Sequence, residues 1–444
     1  MNCNTQVVTI SKIVNGGYGL AKTDEGKTLF VRYALPGETV SVELTEEKKR
    51  FCFGHVVEVH SPVSGRTSAP CPYYGVCGGC NLQHADYATQ KGLKDAILED
   101  LLARSPLAQS TLEHEALKPI LGAGDPFGYR QRIRLKIDDT DNPGFAHFRS
   151  HKVIEVDKCL LAAEPVNGCL AELRSHGDFK LLAASADEIE LCFDQLTGAV
   201  ALRLLLRRPP RPADRRRALG LTVDIEVLDR VFFSGRNFAQ EGPFSCLDTQ
   251  SNLLGFELED KEPITLRWEM GGFSQVNAGQ NLKMIDLVRR FSRPHPTDRI
   301  LDLYCGMGNF SLVLARQAAE VLGIEVQGSA IRSARRNAEE NGLTNCTFIK
   351  SEVASACRKL AADNESFATV VCDPPRRGLG VLAGVAGSLA RRRMVYISCD
   401  PATLCRDLQE LVGCGFSIQT IQPLDMFPQT HHLETVVVLE KNRA

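Results

Sequence analysis

Apolar and polar positions follow two different rhythms along this chain. Between residues 6 and 60, short alternating runs, Val7–Ile10, Leu29–Val31, Val40–Leu44 and His55–Val59, are separated by glycine-rich turns such as Gly16-Gly-Tyr-Gly19. A two-residue period in short, evenly spaced runs predicts a small all-β barrel. From Gln90 to Leu107 the period lengthens, and Leu93, Ile97, Leu98, Leu101 and Leu102 share one face of a predicted helix. Gly128 to Asp138 then alternates basic with apolar residues, which as a strand would put Arg130, Arg132, Arg134 and Lys136 on one face, either a row for phosphates or a solvated surface. Residues 145 to 265 read as mixed strands and helices with little specific signal.

The carboxyl-terminal half repeats strand, turn and helix. Arg299 to Tyr304 is an apolar strand, Cys305-Gly-Met-Gly-Asn309 a tight glycine turn, Phe310 to Ala319 a helix, and Val321 to Glu325 a second strand ending in an acid. Glycines let a backbone approach a ligand, and a carboxylate at the next strand's end can accept both hydroxyls of a ribose. Ser311 stands where a dinucleotide fingerprint wants glycine or alanine, so the loop suits S-adenosylmethionine better than a pyrophosphate. Two more apolar strands, Phe367 to Cys372 and Met394 to Ser398, are each halted by proline just after a reactive group, Asp373 and Cys399. Ligands of open α/β sheets bind outside the strands' carboxyl ends, so these two groups are expected in one crevice. Thr420 to Leu439 reads as a terminal hairpin with Glu434 at the far end of its loop, and His431 and His432 as loop residues.

Composition adds limits. A chain of 444 residues implies two or three domains, and 43% hydrophobic with 24% charged residues is ordinary for a globular protein. The net charge of −2 gives no global bias toward nucleic acid; the local run Arg207 to Arg217 could provide one, or could be a solvated loop. The start lacks a signal-peptide pattern and no apolar run approaches the ~18 residues of a spanning helix, so a cytoplasmic protein without membrane contact is expected. Sixteen cysteines in such a chain point away from disulfides and toward metal or catalytic roles.

Cys71-Pro-Tyr-Tyr-Gly-Val-Cys77-Gly-Gly-Cys80 can turn three sulfurs toward one centre. The spacing is not a paired zinc knuckle and suits an iron-sulfur cluster better than zinc; local spacing does not choose Cys159 over Cys169 as a fourth thiolate. Lys48-Lys-Arg50 beside Phe51 and Phe53 offers cations and rings on which bases could stack, unless those rings fill the barrel core.

The set Asp302-Leu-Tyr-Cys-Gly-Met-Gly-Asn-Phe310, Asp373-Pro-Pro-Arg-Arg-Gly378, Ser398-Cys-Asp-Pro-Ala-Thr403 and His432-Leu-Glu434 resembles the class I, S-adenosylmethionine-dependent RNA uracil-5 methyltransferases. Cys71, Cys77 and Cys80 resemble the [4Fe-4S] site of the branch acting on 23S ribosomal RNA, and the amino-terminal barrel is similar to a TRAM domain. The resemblance implies an α/β chain in three parts: residues 1–62 a TRAM/OB-like RNA-binding barrel, 63–265 a central α+β iron-sulfur domain, and 266–444 a Rossmann-like catalytic domain. It implies Cys399 as nucleophile, Glu434 as base and Cys159 as fourth cluster ligand. By the same resemblance Tyr304, Asn309, Glu325 and Glu352 contact S-adenosylmethionine, Gln275 contacts the cofactor or the base, and Asp373 faces both cofactor and uracil; a target base that must leave its stack needs aromatic support, for which Phe273 is the candidate. The implied partner is 23S ribosomal RNA, with transfer RNA or a non-catalytic RNA-binding role as alternatives, and no obligate protein partner is expected. Asp400 stands where the family often has asparagine, and an extra carboxylate beside Cys399 would oppose thiolate formation.

Overall fold

The computed structural model describes residues 5–108, 115–247, 251–258 and 263–442. Residues 5–61 form a six-stranded sheet in the order Thr5–Thr9, Thr39–Glu47, Phe51–Ser61, Thr28–Arg32, Tyr18–Lys22, Lys12–Val14. Its inner face is aliphatic, with Val8, Leu29, Val31, Val40 and Val42 in one core. The aromatic residues are not part of that core. Phe30 stacks on Phe53 at 5.3 Å between centroids, Tyr18 and Phe51 lean on Phe53 at 5.6 Å, and all four rings are only half-buried. The guanidinium of Arg149, from the next part of the chain, lies 5.2 Å over Phe53.

The central part is a seven-stranded sheet in the order Phe238–Phe244, Leu228–Gly235, Ala199–Leu206, Ala186–Asp194, Arg132–Ile137, Pro143–Ala146, Val153–Glu155. Helices Glu164–Ser175 and Pro212–Asp224 bury Leu170 and Leu221 against Leu135, Leu191 and Leu202. In Arg132–Ile137 the expected alternation holds, with Ile133 and Leu135 inward. The basic row is nevertheless partly neutralised: Arg134 pairs with Glu188 at 3.0 Å and Glu190 at 3.2 Å, and Arg132 approaches Glu190 at 3.5 Å. Arg130 precedes the strand, its amide bonded to Leu161 O at 2.7 Å, so it is not in the row. The Arg207–Arg217 run is not a free loop either. Its second half begins the helix Pro212–Asp224, and Arg208, Arg215 and Arg217 meet Asp214, Glu241 and Asp178.

The last sheet has seven strands in the order Cys346–Lys350, Glu320–Glu325, Arg299–Leu303, Phe367–Cys372, Ala390–Ser398, Glu434–Lys441, Phe416–Leu424. The first five are mutually parallel, and Glu434–Lys441 runs antiparallel to both its neighbours. Arg299–Leu303 lies between Glu320–Glu325 and Phe367–Cys372, so the chain winds off in both directions from it and leaves a crevice at its carboxyl end. The helix after it, Ser311–Ala315, is shorter than the expected Phe310–Ala319, because the chain turns back until the Ala319 amide bonds Asp298 O at 2.9 Å.

Two segments assigned by sequence to the central part pack on this catalytic sheet. Helix Tyr87–Ala103 buries Leu98 and Leu102 among Leu404, Leu408 and Ile421. The hairpin Leu253–Leu258 and Ile264–Glu269 shares a core with Met284, Ile300 and Phe310, so the expected 265/266 boundary falls inside a strand. Among the described residues no helix is long and apolar enough to cross a membrane.

Candidate active site

Ala390–Ser398 is buried through Met394-Val-Tyr-Ile397, and Pro401 starts the helix Pro401–Gly413, so the chain must turn at Cys399. Asp400 is that helix's N-cap: its carboxylate accepts the Thr403 amide at 2.8 Å. The carboxylate expected to oppose the thiolate is thus engaged elsewhere. Two others take its place.

Glu434 begins the neighbouring antiparallel strand. Ser398 pairs with Thr435, and Cys399 and Glu434 each lie one residue beyond that terminal pair. Asp373 ends the other neighbouring strand, Phe367–Cys372, where Cys372 pairs with Tyr396. Burial, then the charges of Glu434 and Asp373, push the Cys399 thiol up to about 12, against the Arg376 charge and a backbone hydrogen bond. Burial and the Asp373 charge also hold the Glu434 carboxyl well above the usual carboxylate range, and burial raises Asp373 to about 7. Buried like charges cannot all ionise cheaply, so proton affinity in the site is raised.

The loop carrying Arg376 is fixed from below. Asp407, buried on the helix Pro401–Gly413, accepts the Leu379 amide at 2.6 Å, the Gly380 amide at 3.0 Å and the Tyr396 hydroxyl at 2.6 Å. A cavity of about 220 Å³ opens above Cys399, lined also by Arg376, His431, His432, Asn15 and Gly16. The two histidines were expected to be plain loop residues. Burial lowers them to about 4 and about 3, so near neutral pH they present uncharged rings to the cavity. Arg376 and the His431–His432 pair carry no assigned role by sequence, and their only signal was adjacency to Asp373 and Glu434.

The expected cofactor residues are spread along the crevice. Tyr304 lies at φ 62°, with Gly306 at 55° and Gly308 at 91°; only open space would meet a Cβ at Gly306, so a ligand can approach the backbone there. A second cavity, of about 290 Å³, adjoins Tyr304, Arg358, Arg377 and Leu379. The Asn309 amide exchanges hydrogen bonds with that of Asn281 at 3.0 and 3.1 Å. Glu325 ends its strand with one carboxylate oxygen accepting the Gln327 amide at 2.7 Å, and Glu352 is exposed at the start of Val353–Ala362. Gln275 is half-buried and Phe273 is 58% exposed, both in the segment after Ile264–Glu269. Beneath the glycine turn Asp302 is fully buried and raised to about 7 by burial; Ser311 bonds one of its oxygens, and the other has no partner.

Cys71, Cys77, Cys80 and Cys159 line one further cavity, of about 430 Å³, together with Arg130. Burial pushes the Cys80 thiol up to about 12 and raises Cys77 and Cys159, with neighbouring cysteines adding to it. Cys169 is instead buried among Leu170, Leu173 and Val166. Among the described residues no group of three or more His, Cys, Asp or Glu side chains converges tightly enough for a metal ion.

The family model for tRNA (uracil-5-)-methyltransferase matches residues 246–442 and that for the TRAM domain residues 1–57. A solved Pyrococcus abyssi tRNA (uracil-54, C5)-methyltransferase, in complex with S-adenosyl-L-homocysteine, superposes with a TM-score of 0.73 at 24% identity, covering 98% of this chain and 100% of that one. The fold is accordingly that of a class I methyltransferase behind an amino-terminal TRAM domain. Two curated relatives, both named 23S rRNA (uracil(1939)-C(5))-methyltransferase RlmD, are each 34% identical: one from Alkalilimnicola ehrlichii over 98% of this chain and 96% of its own length, one from Pseudomonas putida over 98% and 93%. This chain belongs to the RNA uracil-C5 methyltransferase family, and it is an enzyme of that kind.

Proposed function

We propose that the protein transfers the methyl group of S-adenosylmethionine to C5 of a uridine in 23S ribosomal RNA through a covalent adduct on Cys399. The observation that carries this is a cysteine that lines one cavity and whose thiol feels the charges of both Glu434 and Asp373 from the two neighbouring strands. Relatives matched along nearly their whole length act on 23S rRNA, which favours that substrate over transfer RNA.

Uracil C5 is a poor nucleophile. Cys399 gives its thiol proton to solvent water, its thiolate Sγ bonds to C6, and the electron pair of the C5=C6 bond moves into an enolate. C5 then takes the methyl carbon as the donor's sulfur–carbon bond breaks, leaving S-adenosylhomocysteine. Glu434, as carboxylate, removes the C5 proton, the C6–S bond breaks, and C5=C6 re-forms as 5-methyluridine. Arg376 is the cation placed to favour the thiolate and the ionised Glu434. A base must leave its stack to reach the thiol, and the exposed Phe273 ring suits that support.

The bound donor supplies an electrophilic methyl. The open turn at Gly306 and the orphaned Asp302 oxygen fit such a ligand. Tyr304, Asn309, Gln275 and Asp373 would line it, Glu325 would hold the ribose, and Glu352 would flank the adenine.

Four half-buried cysteines around a cavity of about 430 Å³ leave room for a multinuclear group rather than one tetrahedral ion. A [4Fe-4S] cluster held by Cys71, Cys77, Cys80 and Cys159 would tie the cysteine loop to the central sheet. The proposed division keeps 1–62 as the barrel and 266–444 as the catalytic part, with the hairpin from Leu253 joining the latter. The half-exposed rings Phe30, Phe51 and Phe53, with Lys48, Arg50 and Arg149 near them, suit stacked single-stranded RNA.

The test is a tritium-release assay on 5-tritiated 23S rRNA with the anaerobically purified protein. Cys399→Ala should abolish release and any covalent RNA adduct; Glu434→Gln should accumulate the adduct with little product. Normal turnover by Cys399→Ala removes the mechanism.

A further inference from the structure

The cavity above Cys399 is not built by the catalytic part alone. Asn15 and Gly16, from the first glycine turn of the amino-terminal barrel, form part of its wall. One side chain fastens that turn to the opposite wall. Asn81 Nδ2 donates to Gly16 O at 3.2 Å and lies 2.8 Å from His431 Nδ1, while Asn81 Oδ1 accepts the His431 amide at 2.9 Å. Its backbone amide and that of Leu82 both donate to Gln429 O at 3.1 Å. Three regions distant in sequence therefore meet at one amide: the barrel turn, the residue following Cys80, and the loop leading to Glu434.

The fit is tight. Gly17 has φ +73°, and a Cβ there would stand 2.6 Å from Asn81 Nδ2 and 2.9 Å from His431 Cβ. No side chain could be added without moving the barrel turn or the histidine loop. The loop is held from its other side as well, where Gln90 and Gln429 exchange two hydrogen bonds of 2.9 Å. With Asn81 lost, the lower part of the loop would stay and the turn around Asn15–Gly16 would be released.

We propose that the Asn15–Gly16 turn of the barrel is a wall of the target-nucleotide pocket, and that Asn81 is the positioning residue that clamps this wall against the His431–His432 loop. The barrel thus has a second task besides gripping RNA at a distance: it closes the space in which the flipped base is held over Cys399. This rests on the reading of that cavity as the uridine site.

Two measurements on anaerobically purified full-length protein separate the inference from that reading. The first is the rate of Cys399 alkylation by iodoacetamide in free enzyme, followed by peptide mass spectrometry. Asn81→Ala and Gly17→Ala should each raise it by about threefold or more, because an ordered hydrogen-bonded wall is released. The second is steady-state methylation of deproteinised 23S rRNA. In both variants KM for the RNA should rise about tenfold, with kcat within about threefold of wild type and S-adenosylhomocysteine affinity unchanged, since the lost contact shapes the RNA side only. Asn81→Asp keeps the acceptor for the His431 amide and loses the donor to Gly16 O, and should shift both readouts in the same direction. Unchanged alkylation and unchanged KM in folded Asn81→Ala and Gly17→Ala overturn the proposal. Faster alkylation with unchanged KM leaves the clamp standing and sinks the pocket as the nucleotide site.

Discussion

Cys399 and Glu434 each lie one residue beyond Ser398–Thr435, the terminal pair of two antiparallel strands. Strand pairing up to that point, rather than a long flexible loop, brings the two residues together. Burial and the charges of Glu434 and Asp373 push the Cys399 thiol of the free enzyme up to about 12. A nucleophile kept protonated until its substrate arrives is shielded from adventitious alkylation and oxidation.

That elevation sets a pH dependence. Iodoacetamide labelling of Cys399 in free enzyme should climb about tenfold per pH unit from about pH 7 to pH 10, because the thiolate fraction does. Glu434→Gln removes the nearest negative charge and should speed labelling about two- to fivefold at about pH 9. A plateau reached below about pH 9 in the wild type would show the thiol is not held up.

Asp302 supplies a stability test. Its carboxyl is raised to about 7 when folded, above the unfolded value near 4, so the folded state binds more protons between those values. Stability from this group is present below about pH 4 and is lost as pH rises through about 7, at up to about 1.4 kcal/mol per pH unit. Asp302→Asn should therefore flatten the fall in chemical-denaturation stability between about pH 4 and pH 7. An unchanged pH slope would place the folded carboxyl near its ordinary range.

Lys94 and Asp425 form a fully buried ion pair, Nζ to Oδ1 2.5 Å, with Lys94 also donating to Phe427 O at 3.1 Å. Lys94→Met leaves a buried carboxylate alone and should cost about 3–5 kcal/mol. Lys94→Met with Asp425→Leu removes both charges and should recover at least half of that loss in a urea titration. Equal losses in the single and double variants would mean the pair matters only through packing.

Metal content tests the cysteine set. Protein purified anaerobically should be brown and hold iron and sulfide near ~4 per chain, and Cys159→Ala should lose most of both, whereas Cys169→Ala should keep them. One zinc and no colour would replace the cluster.

The strands flanking the site were legible because their period and their prolines are local: Phe367–Cys372 matches the sequence reading residue for residue, and Met394–Ser398 lies within the longer Ala390–Ser398. Fold class and family followed from motifs at strand ends. The two readings of the basic row could not be separated in sequence because Glu188 and Glu190, which partly neutralise it, come from a strand over fifty residues away that pairs beside it. The aromatics of the barrel could not be assigned to core or surface, since alternation alone does not say which face of a strand is covered.

Local order along the chain was enough to specify strands, turns and the reactive groups at their ends, because those depend on neighbours a few residues apart. What the folded arrangement added was company: Glu434 and Asp373 in place of Asp400 beside the thiol, neutral histidines over it, and Asn81 joining barrel to catalytic loop. Proton affinity and pocket shape depend on groups brought within a few ångströms by strand pairing and packing, and no spacing in the linear chain encodes that distance.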